Sequence, residues 1–189
     1  MAEAYYTLDK YELSFYKEPC DYDEYDVGLT VGNMDIIDRN SKEVLGSMLF
    51  YIFPSLQEVS GYEIIEIADS VDGDTCDTVS SFWNFERSAW LKKVNSGLGK
   101  VIYISRLTIN KEFRNKGIGS FVLDNIEKIL HLVTEDYVET IIAEAAAFEY
   151  KKTDKFDKYT DRLLRWYIKH GFKTHNGNYI YKKFRSKAL

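Results

Sequence analysis

The sequence predicts a single domain of mixed α/β class, and three observations lead to this prediction. The chain has 189 residues, of which 45% are hydrophobic, and this suffices for one buried core but not for two. The first third holds short apolar runs separated by polar turns, which is typical of antiparallel strands. Farther along, strand-like runs alternate with apolar residues at helical spacing. We therefore expect one domain over residues 1–189.

The N-terminal part predicts a series of strands. Tyr11–Lys17 is the first predicted strand, and the turn-forming residues 18–21 end it. Val27–Ile37 and Glu43–Phe53 follow, and the short polar segment between them favours a hairpin. Tyr62–Ile67 is predicted as a further short strand.

A helix is predicted before the next strand. Asp69, Asp72 and Asp74 offer side chains that can cap its N-terminus. Apolar residues then recur at helical spacing up to a break at Gly97. They are Val79, Phe82, Trp83, Trp90 and Val94.

The C-terminal part predicts strands alternating with helices. The predicted elements are a strand at Val101–Ile109, a helix from Ile118 to Val133, a strand at Glu139–Ala147, a helix at Tyr159–His170, and a hairpin of Phe172–Asn176 with Tyr179–Phe184. The alanines at 145–147 would leave space for a ligand at the end of the second strand.

The loop Arg114–Gly119 joins the first of these strands to a helix. The first amides of a helix lack carbonyl partners, so they can bind an anion. We expect Gly117 to adopt a backbone conformation that a side chain would strain, and Gly119 to let phosphates approach the main chain. Arg114 and Lys116 add positive charge. The alternative is an ordinary glycine turn before a helix.

Two sequence signatures resemble those of the GNAT superfamily of N-acetyltransferases. The first is the apolar strand followed by Arg114-x-x-Gly117-x-Gly119. The second, about fifty residues farther on, is Trp166-Tyr167-Ile-Lys-His-Gly171-Phe172. The resemblance covers residues 101–184.

The resemblance implies a particular GNAT-like fold. Its sheet is mixed and mostly antiparallel, has six to seven strands, and is flanked by helices. Two parallel strands, Val101–Ile109 and Glu139–Ala147, splay apart at its centre. Family members usually place their first helices between strands one and two, so the helical segment 61–100 departs from the pattern. That segment replaces part of the acceptor wall or only covers the sheet, and both alternatives stay open.

The resemblance also implies an activity, the transfer of an acetyl group from acetyl-CoA to a primary amine by direct attack in a ternary complex. The implied cofactor-binding residues are Leu107, Thr108 and Ile109 for pantetheine, and Arg114, Asn115, Lys116, Gly117, Ile118, Gly119 and Ser120 for the pyrophosphate. The alternative is a catalytically silent CoA-binding or protein-interaction module with the same fold.

Catalytic roles are implied for three residues. Tyr167 would protonate the departing thiolate, because a phenol stays protonated at neutral pH, unless it only packs in the core. Some relatives carry a glutamate base where this chain has Tyr103, so Glu66 and Glu144 are the candidate bases, with Asp69 as a further substitute. The helix tyrosine often follows an asparagine, and Thr160 lies nearest that position.

The charge of the chain is divided unevenly. Residues 1–86 hold 19 acidic and 4 basic side chains, whereas residues 87–189 hold 11 and 21. An acidic surface attracts cations, so we expect a cationic small-molecule or peptide amine as acceptor. The alternative is that both halves are solvated faces that neutralise each other. Nucleic acid is not expected as a partner, because the whole chain is acidic and its aromatic residues are not grouped with its lysines.

The remaining expectations concern location and metals. No apolar run reaches the roughly 18 residues that span a bilayer, and the start lacks the pattern of a secretory signal, so a cytoplasmic protein without membrane contact is expected. Cys20 and Cys76 fit reduced thiols. Neither they nor His131, His170 and His175 have metal-ligand spacing, so no metal is expected. The oligomeric state is left open, a dimer included.

Overall fold

The structure is a computed structural model, and it describes residues 2–19, 28–95, 99–134 and 137–184. Its strands are β1 (Ala2–Leu8), β2 (Tyr11–Pro19), β3 (Thr30–Asp38), β4 (Val44–Phe53), β5 (Trp83–Asn84), β6 (Ala89–Trp90), β7 (Lys100–Ile109), β8 (Val138–Glu144), β9 (Lys173–Thr174) and β10 (Tyr179–Lys183). Its α-helices are α1 (Gly61–Val71), α2 (Gly73–Ser81), α3 (Ile118–Asp124), α4 (Ile126–Thr134) and α5 (Phe156–Lys169). Single 3₁₀ turns lie at Lys111–Phe113 and Phe148–Tyr150.

One sheet carries eight of these strands, in the order β1-β2-β3-β4-β7-β8-β10-β9. Its neighbouring strands are antiparallel, except β7 and β8, which are parallel. The predicted class is confirmed: the sheet is mixed and mostly antiparallel, helices flank it, and a parallel pair lies at its centre. The strands β5 and β6 form a separate hairpin.

The helices cover both faces of the sheet, because successive side chains of a strand point to opposite faces. On β7, Ile102 and Ile104 belong to the buried cluster that includes residues of α3, α4 and α5. Val101 and Tyr103 belong to a second buried cluster with residues of α1 and α2. The helical segment before β7 therefore covers the face opposite to the candidate phosphate loop.

The sheet has one strand more than the resemblance implies. The additional strand, β1, pairs with β2 in continuous register from Ala2↔Lys17 to Leu8↔Tyr11. The two strands are joined by two residues, and Asp9 there has a φ of 57°, which aspartate tolerates better than most residues. The Asp-Lys turn is a weak sequence signal, and β1 was not predicted.

The strand predicted at Tyr62–Ile67 is wrong, because this segment lies within helix α1. Ile64, Ile67 and Ala68 are buried, and their spacing places them on one helical face. At the N-terminus of α1, the amide of Ser60 donates to the carboxylate of Glu63 at 2.5 Å, as in a capping box.

The helix predicted from the aspartates to Gly97 is wrong in its second half. Helix α2 begins as expected, with Asp72 accepting from the amide of Thr75 at 2.6 Å, but it ends at Ser81. The hairpin β5–β6 follows, and the rings of Trp83 and Trp90 meet across it with centroids 5.2 Å apart. These aromatic residues suit a cross-strand pair as well as a helical stripe.

The other predicted elements are present with shifted ends. The hairpin β3–β4, helix α5 and the closing hairpin β9–β10 are confirmed. The strand predicted to end at Ala147 ends at Glu144. The helix predicted from Ile118 is interrupted at Asn125, whose side-chain amide donates to the Phe121 carbonyl at 2.8 Å. The predictions at residues 20–27 and at Gly97 lie outside the described residues.

In the described part of the chain, no helix combines the length and the apolar character needed to cross a bilayer.

Candidate functional site

The parallel strands β7 and β8 separate midway along the sheet. Their pairing ends at Ile104↔Ala143, whereas β7 continues to Ile109. The register between β4 and β7 shifts so that Ser105 has no partner residue on β4. Such a bulge bends a strand and increases its twist. The splay that the resemblance implies is thus present, and the end of β7 has one edge that β8 does not pair.

The three residues predicted to hold pantetheine lie on this free stretch. Leu107, Thr108 and Ile109 pair with β4 on their other side. Backbone groups alternate in direction along a strand, so some of them face the gap. The Ile109 carbonyl already accepts from the Arg114 side chain at 2.9 Å.

The loop between β7 and α3 presents a row of amides. Asn115 and Gly117 have φ values of 62° and 82°, in the left-handed region. No amide of residues 115–120 donates to a protein acceptor in the described ranges, whereas the Phe121 amide donates to the Gly117 carbonyl at 2.9 Å. Gly117 has the conformation predicted for it, and no atom lies within 4 Å of the position of a Cβ.

Gly119 has a packing role that was not predicted. A Cβ at this position would lie 3.0 Å from Cζ2 of Trp166 and 3.7 Å from Cγ1 of Ile109. The missing side chain therefore makes room for the indole ring of α5, and the approach of a phosphate to the main chain stays a prediction. The Gly119 amide remains one of the unpaired groups.

The two cations of the loop differ in environment. Arg114 is paired with Glu149, and Nη1 lies 3.0 Å from the carboxylate. This hydrogen bond raises the pKa of Arg114 and lowers the pKa of Glu149. Lys116 is exposed, and its Nζ lies 5.0 Å from the centre of the Phe113 ring. Of the two side chains, Lys116 is the one open to an anion.

A shallow cavity of about 190 Å³ adjoins the loop. Its charged lining residues are Lys10, Asp38, Glu43 and Lys116. The mixed charges do not favour an anion over a cation.

Ser120 takes part in a chain of hydrogen bonds between α3 and α5. The His170 imidazole contacts Asp124 through Nδ1 at 2.6 Å and Ser120 through Nε2 at 3.1 Å. The Trp166 indole donates to the same Ser120 oxygen at 3.1 Å. Asp124 and His170 were not predicted as functional residues. The signal that could have found them is the i, i+4 spacing of Ser120 with Asp124 and of Trp166 with His170.

Tyr167 lies in the core beside this group. Its ring packs edge-on against Trp166 and Phe172, with centroids 5.0 Å and 5.1 Å away. Burial raises the pKa of Tyr167. The hydroxyl forms no hydrogen bond with any described residue. Tyr167 therefore keeps its proton at neutral pH.

The candidate bases lie apart from each other. Glu144 is half-buried at the end of β8, and its pKa is raised by burial, by Asp74 and by Asp77. Glu66 lies on the exposed face of α1, with no hydrogen bond or ion pair to any residue in the described ranges. Nothing in the structure brings Glu66 to the end of β7.

Two further residues, Tyr103 on β7 and Thr160 on α5, occupy positions that correspond to polar residues of the GNAT family. Tyr103 is buried on the α2 side, and burial raises its pKa to about 12, so it is not a base at neutral pH. Thr160, the residue nearest the family's asparagine, is buried and accepts from the Ala147 amide at 3.1 Å. This bond holds the segment after β8 against α5.

Comparisons with protein-family models and with curated protein sequences find no match. Among solved structures, a bacterial toxin is 13% identical, with a TM-score of 0.44, over 81% of this chain and 67% of that one. A GNAT-family acetyltransferase from Listeria monocytogenes is 14% identical, with a TM-score of 0.41, over 80% of this chain and 64% of that one.

A third similar structure is Arabidopsis thaliana NAA60 in complex with acetyl-CoA, which is 13% identical with a TM-score of 0.41. The similarity covers 79% of this chain and 72% of that one. At such identities and TM-scores, neither an activity nor a partner follows from the similarity.

Proposed function

We propose that this protein is an acetyl-CoA-dependent N-acetyltransferase that acts on a primary amine. The observation that carries the proposal is the position of two features at one end of β7. There the pairing with β8 stops after Ile104↔Ala143, and the next loop presents the unpaired amides of residues 115–120. An extended arm can pair with the free strand edge, while a diphosphate accepts from the amides.

The cofactor contacts follow from this arrangement. The free backbone groups among Leu107, Thr108 and Ile109 would bind the pantetheine arm, as a further strand would. The amides from Asn115 to Ser120 would bind the diphosphate, with Lys116 as the nearby cation. Arg114 has a positioning role, because its guanidinium joins the Ile109 carbonyl to Glu149.

The acid and the base would lie on opposite faces of the sheet. Tyr167 belongs to the buried cluster on the side of α3, α4 and α5. Glu144 faces α2, as its interactions with Asp74 and Asp77 show. In this proposal the thioester lies in the gap between β7 and β8, with one of these groups on each side.

The chain's residues then account for each proton in the transfer. Glu144 takes a proton from the ammonium group of the acceptor, because a carboxylate whose pKa is raised is the stronger base. The free amine attacks the thioester carbonyl carbon, and the carbon–sulfur bond breaks. Tyr167 gives its proton to the departing sulfur. The nitrogen, which is positively charged once its bond to carbon has formed, loses its second proton, and through water this proton restores the Tyr167 hydroxyl. Glu144 releases its own proton to solvent. We assign the base to Glu144 and not to Glu66, which lies on the exposed face of α1.

The face of Glu144 favours a cationic acceptor. Asp74 and Asp77 on α2 act on Glu144 and also on Tyr179. Lys151 lies 3.9 Å from Asp74, and both side chains are well exposed, so the pair neutralises this face only in part. The helical segment before β7 thus forms part of the acceptor wall in this proposal.

A second candidate function is a CoA-binding module without catalysis. It is favoured by Tyr103, which stands where some relatives carry a base and whose pKa is about 12. The two candidates share the cofactor site and differ in turnover.

Acetyl transfer to a panel of amines, measured alongside calorimetric binding of CoA, tests the proposal. We expect binding together with transfer to cationic amines, and less transfer to neutral ones. Binding without transfer to any amine would favour the silent module, and absence of binding would contradict both.

A further inference from the structure

The side chains of Ser120, Asp124, Trp166 and His170 form a hydrogen-bonded group that takes no part in the transfer described above. We propose that His170, acting through the hydroxyl of Ser120, couples binding of the diphosphate to uptake of a proton. His170 is a positioning residue in this proposal, which rests on the proposed function because Ser120 belongs to the row of amides assigned to the diphosphate.

The partners of His170 fix where its hydrogen lies. An ionised carboxylate only accepts hydrogen bonds, so Nδ1, at 2.6 Å from Asp124, carries the hydrogen and donates it. In a neutral imidazole the other nitrogen then has no hydrogen and accepts. The group at 3.1 Å from that nitrogen is the Ser120 hydroxyl, so Ser120 donates to Nε2.

A serine hydroxyl has a single proton, and this limits what Ser120 can offer an anion. While His170 is neutral, that proton is directed at Nε2. The Ser120 oxygen also accepts from the Trp166 indole at 3.1 Å. What remains of the hydroxyl is a lone pair, which repels a phosphate oxygen. The side chain then opposes the anion that its own amide would bind.

Protonation of His170 reverses the direction of this hydrogen bond. Nε2 then donates to the Ser120 oxygen, and the hydroxyl proton is released toward the diphosphate. One donor and one positive charge are gained beside the anion. Protonation of His170 therefore strengthens the binding of the diphosphate. By reciprocity, binding of the diphosphate must favour protonation of His170 by the same factor.

The surroundings of His170 suit such a coupling. Its side chain is only 7% exposed, so water competes little for Nε2. The charged groups that face it among the described residues are Asp124 on α3 and Lys182 on β10, whose Nζ binds the His170 carbonyl at 2.9 Å. Glu127 on α4 acts on Lys182.

The same order of carboxylate, imidazole and hydroxyl activates a nucleophilic serine in hydrolases. Here the indole hydrogen bond withdraws charge from the oxygen that would attack. We therefore assign the group to anion binding and not to nucleophilic attack.

Calorimetry with dephospho-CoA tests the proposal. This ligand keeps the diphosphate and lacks the 3′-phosphate, whose own ionisation would otherwise contribute. Titrations between pH of about 6 and about 8, where imidazole commonly changes charge, are run in buffers of different ionisation enthalpy, which counts the protons taken up. We expect uptake of up to one proton and an affinity that rises by about fivefold per pH unit on acidification.

Two variants complete the experiment. The side chain of His170→Gln does not titrate, so we expect no proton uptake and an affinity for dephospho-CoA that no longer rises on acidification. His131→Gln, on an exposed position of α4, should leave the uptake unchanged.

Three results would overturn the coupling: binding of dephospho-CoA without proton uptake, uptake that persists in His170→Gln, or uptake that disappears in His131→Gln. Absence of binding at every pH would contradict the proposed function as well.

Discussion

Tyr167 combines a buried ring with a hydroxyl that no described residue binds. If this hydroxyl protonates the departing thiolate, Tyr167→Phe should lower kcat by about 100-fold, the lower end of general acid catalysis. The affinity for CoA and the melting temperature should change little, because the ring is kept. Steady-state kinetics and calorimetry measure these quantities.

The control for Tyr167→Phe is Tyr159→Phe on the same helix, where the ring is stacked on Tyr150 at 4.1 Å. It should retain full kcat. Unchanged turnover in a folded Tyr167→Phe protein would leave the tyrosine with a packing role only.

Glu144 is the residue whose ionisation should be visible in both activity and stability. Its pKa is raised in the folded protein, so the protonated form is favoured by folding. The associated stability is present below the pKa of an unfolded glutamate, about 4.3, and is lost as the pH rises through the folded pKa. Glu144→Gln, which mimics the protonated acid, should therefore melt slightly higher than the unmodified protein at pH of about 7.

The melting difference should vanish at pH below about 4. Turnover of the unmodified protein should rise with pH as Glu144 loses its proton, and Glu144→Gln should lose this rise together with most of kcat. Glu66→Gln is the matched control, and it should keep both the rise of turnover with pH and the kcat of the unmodified protein. A Glu144→Gln variant with the unmodified pH profile would exclude Glu144 as the base.

At the scale of single residues, the sequence predicted a backbone conformation but not a packing contact. Gly117 was expected to have a positive φ, and it does. Gly119 was expected to let a phosphate approach the main chain, which stays a prediction, and its close packing against Trp166 was not expected. The difference is physical: a positive φ follows from the local turn, but the neighbour of a glycine depends on a helix about fifty residues away.

The contact between α3 and α5 is the element-scale feature most open to a test. Gly119→Ala would bring a Cβ to 3.0 Å from the Trp166 ring. We expect a loss of about 1–3 kcal/mol in the free energy of unfolding and weaker binding of CoA, because the indole ring and the first turn of α3 must move apart by a few tenths of an ångström. Denaturant unfolding and calorimetry measure the two effects.

A second change should relieve the Gly119→Ala defect. Trp166→Leu removes the ring, so the double variant should lose less stability than the sum of the single variants. Gly73→Ala, on α2, is the control: a Cβ there meets no atom within 4 Å, so it should be neutral or stabilise by up to about 1 kcal/mol. Additive losses in the double variant would contradict the packing account.

Elements were predicted reliably where the apolar residues follow one spacing only, either strand alternation or helical spacing. The hairpin β3–β4 and helix α5 follow from clear alternation and clear helical spacing. The segment at 62–67 failed because a short apolar run fits either structure, and the partner surface decides between them. The bulge at Ser105 has no sequence signal of its own, since it depends on the register with β4.

On the scale of the whole molecule, the sheet separates the two halves of the proposed reaction. The cofactor loop belongs to the face of α3, α4 and α5, and the acidic group around Glu144 belongs to the face of α1 and α2. The uneven charge of the sequence predicted an acidic surface for a cationic acceptor, which stays a prediction. It could not show that Asp74 and Asp77 act on Glu144, because that contact depends on how the segment before β7 folds back onto the sheet.

The most direct test of the central claim is a crystal structure of the protein with acetyl-CoA. The account predicts the pantetheine arm between Ser105–Ile109 and the segment that follows Ala143, with the diphosphate on the amides of residues 115–120. Acetyl-CoA bound elsewhere, or strands β7 and β8 paired along their full length with the cofactor excluded, would contradict it.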